Sequence, residues 1–184
     1  MNRICLLLFA DLLDSNRVAV FRGEKKKKSG LFDVIRFVGT VSITLTGAVF
    51  CFVLAPTLKE HAWNLQNILT HVVVPLVAVV DFLFTGKDTN IDKGSDLFVI
   101  VPPILYALYA GLGYILGWEF APGVNYPYFF LNWGSEAGAF GFSSALPFMG
   151  SAWWILVLLV LLLIVGLVYL LLIDLIKKLT DRAK

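Results

Sequence analysis

Asn64, Asn67 and His71 follow one another at spacings of three and four, so on a helix they share a face and form a polar ridge. His71 stands inside the apolar run from Ile68 to Phe84. An ionisable side chain is costly in hydrocarbon, so it faces a bundle interior or a wet cavity and marks a reactive or transporting site. Imidazole exchanges a proton near neutral pH, and beside a hydroxyl it can turn that hydroxyl into a nucleophile. The alternative is structural: a hydrogen bond to a hydroxyl of the preceding apolar stretch, with Thr40, Ser42, Thr44 and Thr46 as partners. Pro75 lies one turn after His71 and removes the hydrogen bond to the His71 carbonyl, which predicts a kink beside the imidazole. Asp81 lies about 15 Å further along a straight helix, too far to pair with His71, and is expected near the inner interface. Tyr106, Tyr109 and Gly113 share a face of the next apolar stretch. The two phenols need partners in a membrane core, so with Asn67 they are candidate lining for a His71 cavity; ordinary interhelical bonding is the competing role. Gly113 permits close helix approach.

The elements that must position these residues are membrane spans. The chain is 59% hydrophobic and only 15% charged, against about 45–50% apolar in soluble domains. Its apolar residues gather into blocks of about 20, the length at which a helix crosses hydrocarbon and satisfies its own backbone. This predicts an all-α polytopic integral membrane protein with spans near 37–56, 65–85, 97–118 and 153–176. The last is featureless and reads as lipid-exposed over much of its surface, with no chemistry assigned. The outer segment 119–151 is rich in aromatics and glycine and is expected at the headgroup level or dipping back into the membrane.

Basic residues orient the spans. Arg3, Arg17, Arg22, Lys25 to Lys28 and Arg36 precede the first full span, the next loop holds only Lys59, the following one holds Lys87 and Lys93, and the tail holds Lys177, Lys178, Arg182 and Lys184. This predicts cytoplasmic N- and C-terminal flanks in the cell membrane. With a net charge of +2 and its basic residues assigned to topology, the chain is not expected to bind nucleic acid. Ile4 to Leu13 is too short to span. It reads as a partial helix, either an interfacial anchor or the end of a helix that a longer product contains, followed by a basic linker that closes a 1–30 region ahead of the 31–184 helical domain. Asp11 and Asp14 argue against a cleavable signal peptide. Cys5 and Cys51 have no cysteine or histidine at metal-ligand spacing and read as buried free thiols. His61, in the stretch from Lys59 to Trp63, reads as a solvated loop residue, so neither metal nor cofactor is expected.

The stretch from Asn67 through His71 to Pro75, with Asp81, the Pro-Tyr-rich third span and Tyr126-Pro-Tyr-Phe129, resembles the prokaryotic six-transmembrane-helix family over roughly residues 31–133. That family is distantly similar to the eukaryotic androgen-induced membrane proteins, hydrolases of fatty acid esters of hydroxy fatty acids that use a threonine nucleophile and an intramembrane histidine. The resemblance implies His71 for the histidine, although the eukaryotic pattern has one more residue before the proline. The family's threonine belongs to a helix preceding the one that starts near Phe37. Here that region is Met1 to Leu13, which contains no threonine, and Thr40, Thr44 and Thr46 match no nucleophile position. The resemblance therefore implies a six-helix protein lacking its first helix and most of its second.

Three functions compete at this level. The first is a six-helix family protein with a lipid-facing His71 cavity and lipid-ester hydrolysis in its complete form. The second is a transporter or binding protein for a lipid or small molecule, in which His71 and the tyrosines bind substrate or relay protons. The third is a scaffold that assembles with a partner or with anionic lipid. Membrane lipids are partners in each.

Overall fold

A computed structural model describes residues 30–86, 89 and 91–182, with the backbone alone at His61. The partial helix expected at Ile4 to Leu13 and its basic linker lie outside the described residues, as does the His61 side chain. Four helices are long and apolar enough to cross a membrane: α1 (Gly30–Leu58), α2 (Leu65–Thr85), α3 (Lys93–Ile115) and α4 (Ser151–Arg182). The all-α polytopic architecture is thus present. Apart from two single bridges, Ala121 with Val124 and Phe142 with Met149, the regular structure among the described residues is helical.

Local chemistry sets the helix ends. The Asn64 side chain caps α2 by accepting from the Asn67 backbone N–H at 2.9 Å. Gly117, at a φ of +69°, stops α3, and Trp118 N–H closes back on the Gly113 carbonyl at 2.8 Å. This turn ends α3 at Ile115, short of the expected Trp118. Helix α1 begins before the expected Phe37 and carries Asp33 and Arg36 inside it. Hydropathy alone trims such charges from a span, but here both are buried within the bundle.

Helix α1 packs against all three others. Phe37 and Val41 of α1, Phe82 of α2, Val99 of α3 and Leu162, Tyr169, Leu170 and Ile173 of α4 form the main core. Helix α4 does expose an apolar flank, including Leu161, Ile164, Val168 and Leu175. Its other face, however, supplies half of that core, because its small Gly166 lets Phe37 and Asp96 approach. Helices α1 and α2 run antiparallel in fixed register, with Arg36 bonded to Asp81, Phe37 near Phe82, and Phe50 against His71.

Two regular helices are interrupted at matching heights. Phe50–Leu54 in α1 and Leu69–Val73 in α2 are π-helical turns that pack together. Such widened turns recur at functional sites. The outer segment between α3 and α4 folds back over α3: Phe130 and Leu131 pack on Ala110, and Trp133 lies over Gly111. Gly113 faces Phe120 and Trp118 of this segment. The small residues of α3 therefore admit loop aromatics, where close approach of a neighbouring helix was expected.

Candidate functional site at His71

The π turn of α2 holds His71, and the π turn of α1 holds the ring it meets. The imidazole stacks on Phe50 with centroids 4.5 Å apart and planes 15° from parallel. Trp63 meets that phenyl ring edge-on at 5.8 Å. Pro75 has no N–H to offer the His71 carbonyl, and that carbonyl faces Gly47 of α1. A Cβ at Gly47 would lie 2.8 Å from the oxygen and 3.1 Å from the Pro75 ring. Only glycine allows this approach. A π turn, Leu69–Val73, thus ends two residues before Pro75, beside a close helix crossing at Gly47.

The Nδ1 atom of His71 is enclosed and has no hydrogen-bond partner among the described residues. The alternative read from the sequence, an interhelical bond from His71 to a hydroxyl of α1, is not formed among the described residues. Thr40 donates to the Arg36 carbonyl at 2.9 Å, Thr44 to the Thr40 carbonyl at 2.8 Å, and Thr46 to the Ser42 carbonyl at 2.9 Å, while Ser42 Oγ is itself unpartnered. Helical hydroxyls take this local option when no better acceptor lies across the interface. Thr44 also meets the Tyr169 hydroxyl of α4 at 2.9 Å.

Asn67 contributes to the N-terminal end of α2. Its side chain donates to the Ala62 carbonyl at 3.0 Å and so ties the turn before α2 to the helix. Tyr106 and Tyr109 pack against each other at 6.0 Å; Tyr106 also meets Tyr128, and Tyr109 meets Trp118 and Phe120. The ring partners of the tyrosines and those of His71 are separate sets. Leu54 packs against both the Phe50 cluster and the Ala110–Phe130–Leu131 cluster. In the outer segment, burial pushes the Tyr128 phenol above its ordinary pKa. An open depression of about 450 Å³ is lined by Cys51, Ala55, Pro56, Lys59, Glu60 and Trp63.

A second polar centre lies at the opposite end of α1 and α2. The Arg36 guanidinium, 5% exposed, meets the Asp81 carboxylate at 2.5 Å and also bonds the Thr85 hydroxyl. Its charge lies 5.6 Å from the centre of the Phe82 ring. Lys177 of α4 donates to the Thr89 carbonyl at 2.9 Å at this same end. Asp81 thus has a partner, and the partner is a residue read from the sequence only as a topology marker. No group of three or more metal-ligating side chains occurs among the described residues.

Arg36, Thr40, Thr44 and Gly47 fall at spacings of four, four and three on one face of α1. That periodicity was readable and points at both centres, but a polar stripe does not say which helix it faces. No family model, curated protein or solved structure matches the chain.

Proposed function

We propose that this is a multi-pass cell-membrane protein with cytoplasmic flanks, whose His71 site binds a polar group of an amphiphilic or small-molecule ligand without a covalent step. One observation carries the reading: an enclosed, unpartnered imidazole nitrogen at the meeting of two π-helical turns. A buried polar atom without a partner costs on the order of 1–3 kcal/mol. A ligand's hydrogen-bonding group that reaches the ring nitrogen removes that cost. Membrane lipids are the nearest source of such a ligand.

Ester hydrolysis is the second reading, favoured by the same free nitrogen and by the resemblance of the stretch from Asn67 to Pro75 to the six-helix family. It needs a hydroxyl at His71. Thr40, Thr44, Thr46 and Thr70 all donate to carbonyls of their own helices, while Ser42 Oγ has no partner among the described residues.

Native mass spectrometry of the purified protein, with and without a fluorophosphonate probe, separates these readings. The binding reading expects a co-purified amphiphile that is lost in His71→Phe, and no probe adduct. An adduct that disappears in His71→Gln would establish the hydrolase instead. Absence of both ligand and adduct, with His71→Phe fully folded, would leave His71 a structural residue.

A further inference from the structure

The last loop of the outer segment, just ahead of α4, is bound to the first turn of that helix by two tryptophans. Trp153 Nε1 donates to the Phe140 carbonyl at 2.8 Å, and Trp154 Nε1 donates to the Pro147 carbonyl at 2.9 Å. The Phe142 ring stacks against Trp153, and Phe140 meets it edge-on, each at 6.4 Å. Despite these contacts the loop is apolar and open: Phe140 is 70% exposed, Phe142 75%, Leu146 50% and Phe148 53%.

Helix α4 supplies a ruler for the depth of this loop. No Asp, Glu, Lys, Arg or His occurs from Ala137 to Ile173, and Asp174 begins the charged end. From Trp153 to Ile173 the helix rises about 30 Å, the thickness of a bilayer's hydrocarbon core. With its charged end at one boundary, Trp153 lies at the other, where tryptophan is favoured. The aromatic loop packed on Trp153 lies at that boundary too.

Lipid admits irregular backbone only when its polar groups are satisfied within the protein. This loop meets part of that demand. Ser143 N–H bonds to the Phe148 carbonyl at 2.8 Å, Phe148 N–H to Ala145 at 2.7 Å, and Gly150 N–H to Gly141 at 2.9 Å. Ala145 N–H takes the Ser143 hydroxyl at 3.1 Å. The loop's acidic neighbour, Glu136, accepts from that same hydroxyl at 3.2 Å.

We infer that the loop of residues 140–148 is a lipid-immersed anchor, its four exposed apolar side chains seated among the acyl chains and headgroups of the leaflet at the Trp153 end. The partner is the lipid surface itself. Immersion gives those side chains an apolar environment and fixes the height of α4, and through it the outer segment that covers α3. The inference does not depend on a ligand at His71.

The test places an environment-sensitive fluorophore at Phe142→Cys and, separately, at Ser144→Cys, with Cys5 and Cys51 replaced by serine, in phosphatidylcholine vesicles. Both substituted positions are exposed, so neither label has to enter the core. Glu60→Cys serves as the aqueous comparator. The expected result at both loop sites is blue-shifted emission, quenching by lipid-borne nitroxide and protection from iodide present on both sides of the membrane, with the reverse pattern at position 60. Iodide quenching equal to that at position 60 would put the loop in water and overturn the inference. Protection from both quenchers would overturn it as well, since a protein surface, such as a second copy of the chain, would then cover the loop.

Discussion

At the residue scale, the structure turns on a few side chains whose partners lie far away in sequence. Arg36 and Asp81 are the clearest pair. Removing one partner leaves the other charge uncompensated, whereas replacing both with apolar residues of similar size is often neutral. Arg36→Met is expected to destabilise by on the order of 2 kcal/mol, below the full cost for a buried pair because Asp81 is 36% exposed. The double variant Arg36→Met with Asp81→Leu should recover most of that loss. Chemical unfolding in detergent micelles measures both, and equal loss in single and double variants would show that the pair does not act as a unit. Gly47 is the second point. A Cβ there would press on the His71 carbonyl and Pro75, so Gly47→Val is expected to cost about 1–3 kcal/mol and to disturb the Phe50–His71 stack. Thermal unfolding, with the His71 ring followed by NMR, tests this; an unchanged melting temperature would mean the helices separate there without penalty.

At the element scale, α1 is the organising helix because its polar stripe and its apolar residues find partners on different neighbours. Thr44 joins it to α4 through the Tyr169 hydroxyl. Interhelical hydrogen bonds within membranes contribute modestly, so a double-mutant cycle of Thr44→Val and Tyr169→Phe should return a coupling of about 0.6 kcal/mol. Additivity of the two changes would show that the hydroxyls do not depend on each other. Helix α4 illustrates how a uniformly apolar sequence hides its orientation. Leu162 is 1% exposed while its neighbour Leu161 is 40% exposed. Leu162→Ala should therefore destabilise by about 2–3 kcal/mol, and Leu161→Ala by far less. Equal melting shifts for the two would contradict the packing face described here.

At the scale of the whole molecule, four crossings among the described residues put the Gly30 and Arg182 ends on one side. The end that holds Arg36, Asp81 and Lys177 is the one assigned to the cytoplasm from its basic residues. On an otherwise cysteine-free chain, Glu60→Cys is expected to react with a membrane-impermeant maleimide on intact cells, and Lys178→Cys only after permeabilisation. Reversal of the pattern would invert the topology and place the aromatic outer segment inside.

Composition and block length were enough to establish four apolar helices, because a helix in lipid must satisfy its own backbone and therefore announces its length in sequence. His71 and Pro75 were legible for a similar reason: an ionisable group and a missing N–H stand out against an apolar run. What those residues meet was decided only by tertiary structure. The Phe50 ring, the Gly47 backbone, the Arg36 guanidinium and the Tyr169 hydroxyl reach their partners across helix interfaces. Interhelical register and the rotation of each helix are collective results of packing, and single spans do not encode them. The threonine hydroxyls read as partners for His71 bond within their own helix instead, because a local carbonyl is always within reach, whereas a partner on a neighbouring helix depends on how the two are docked.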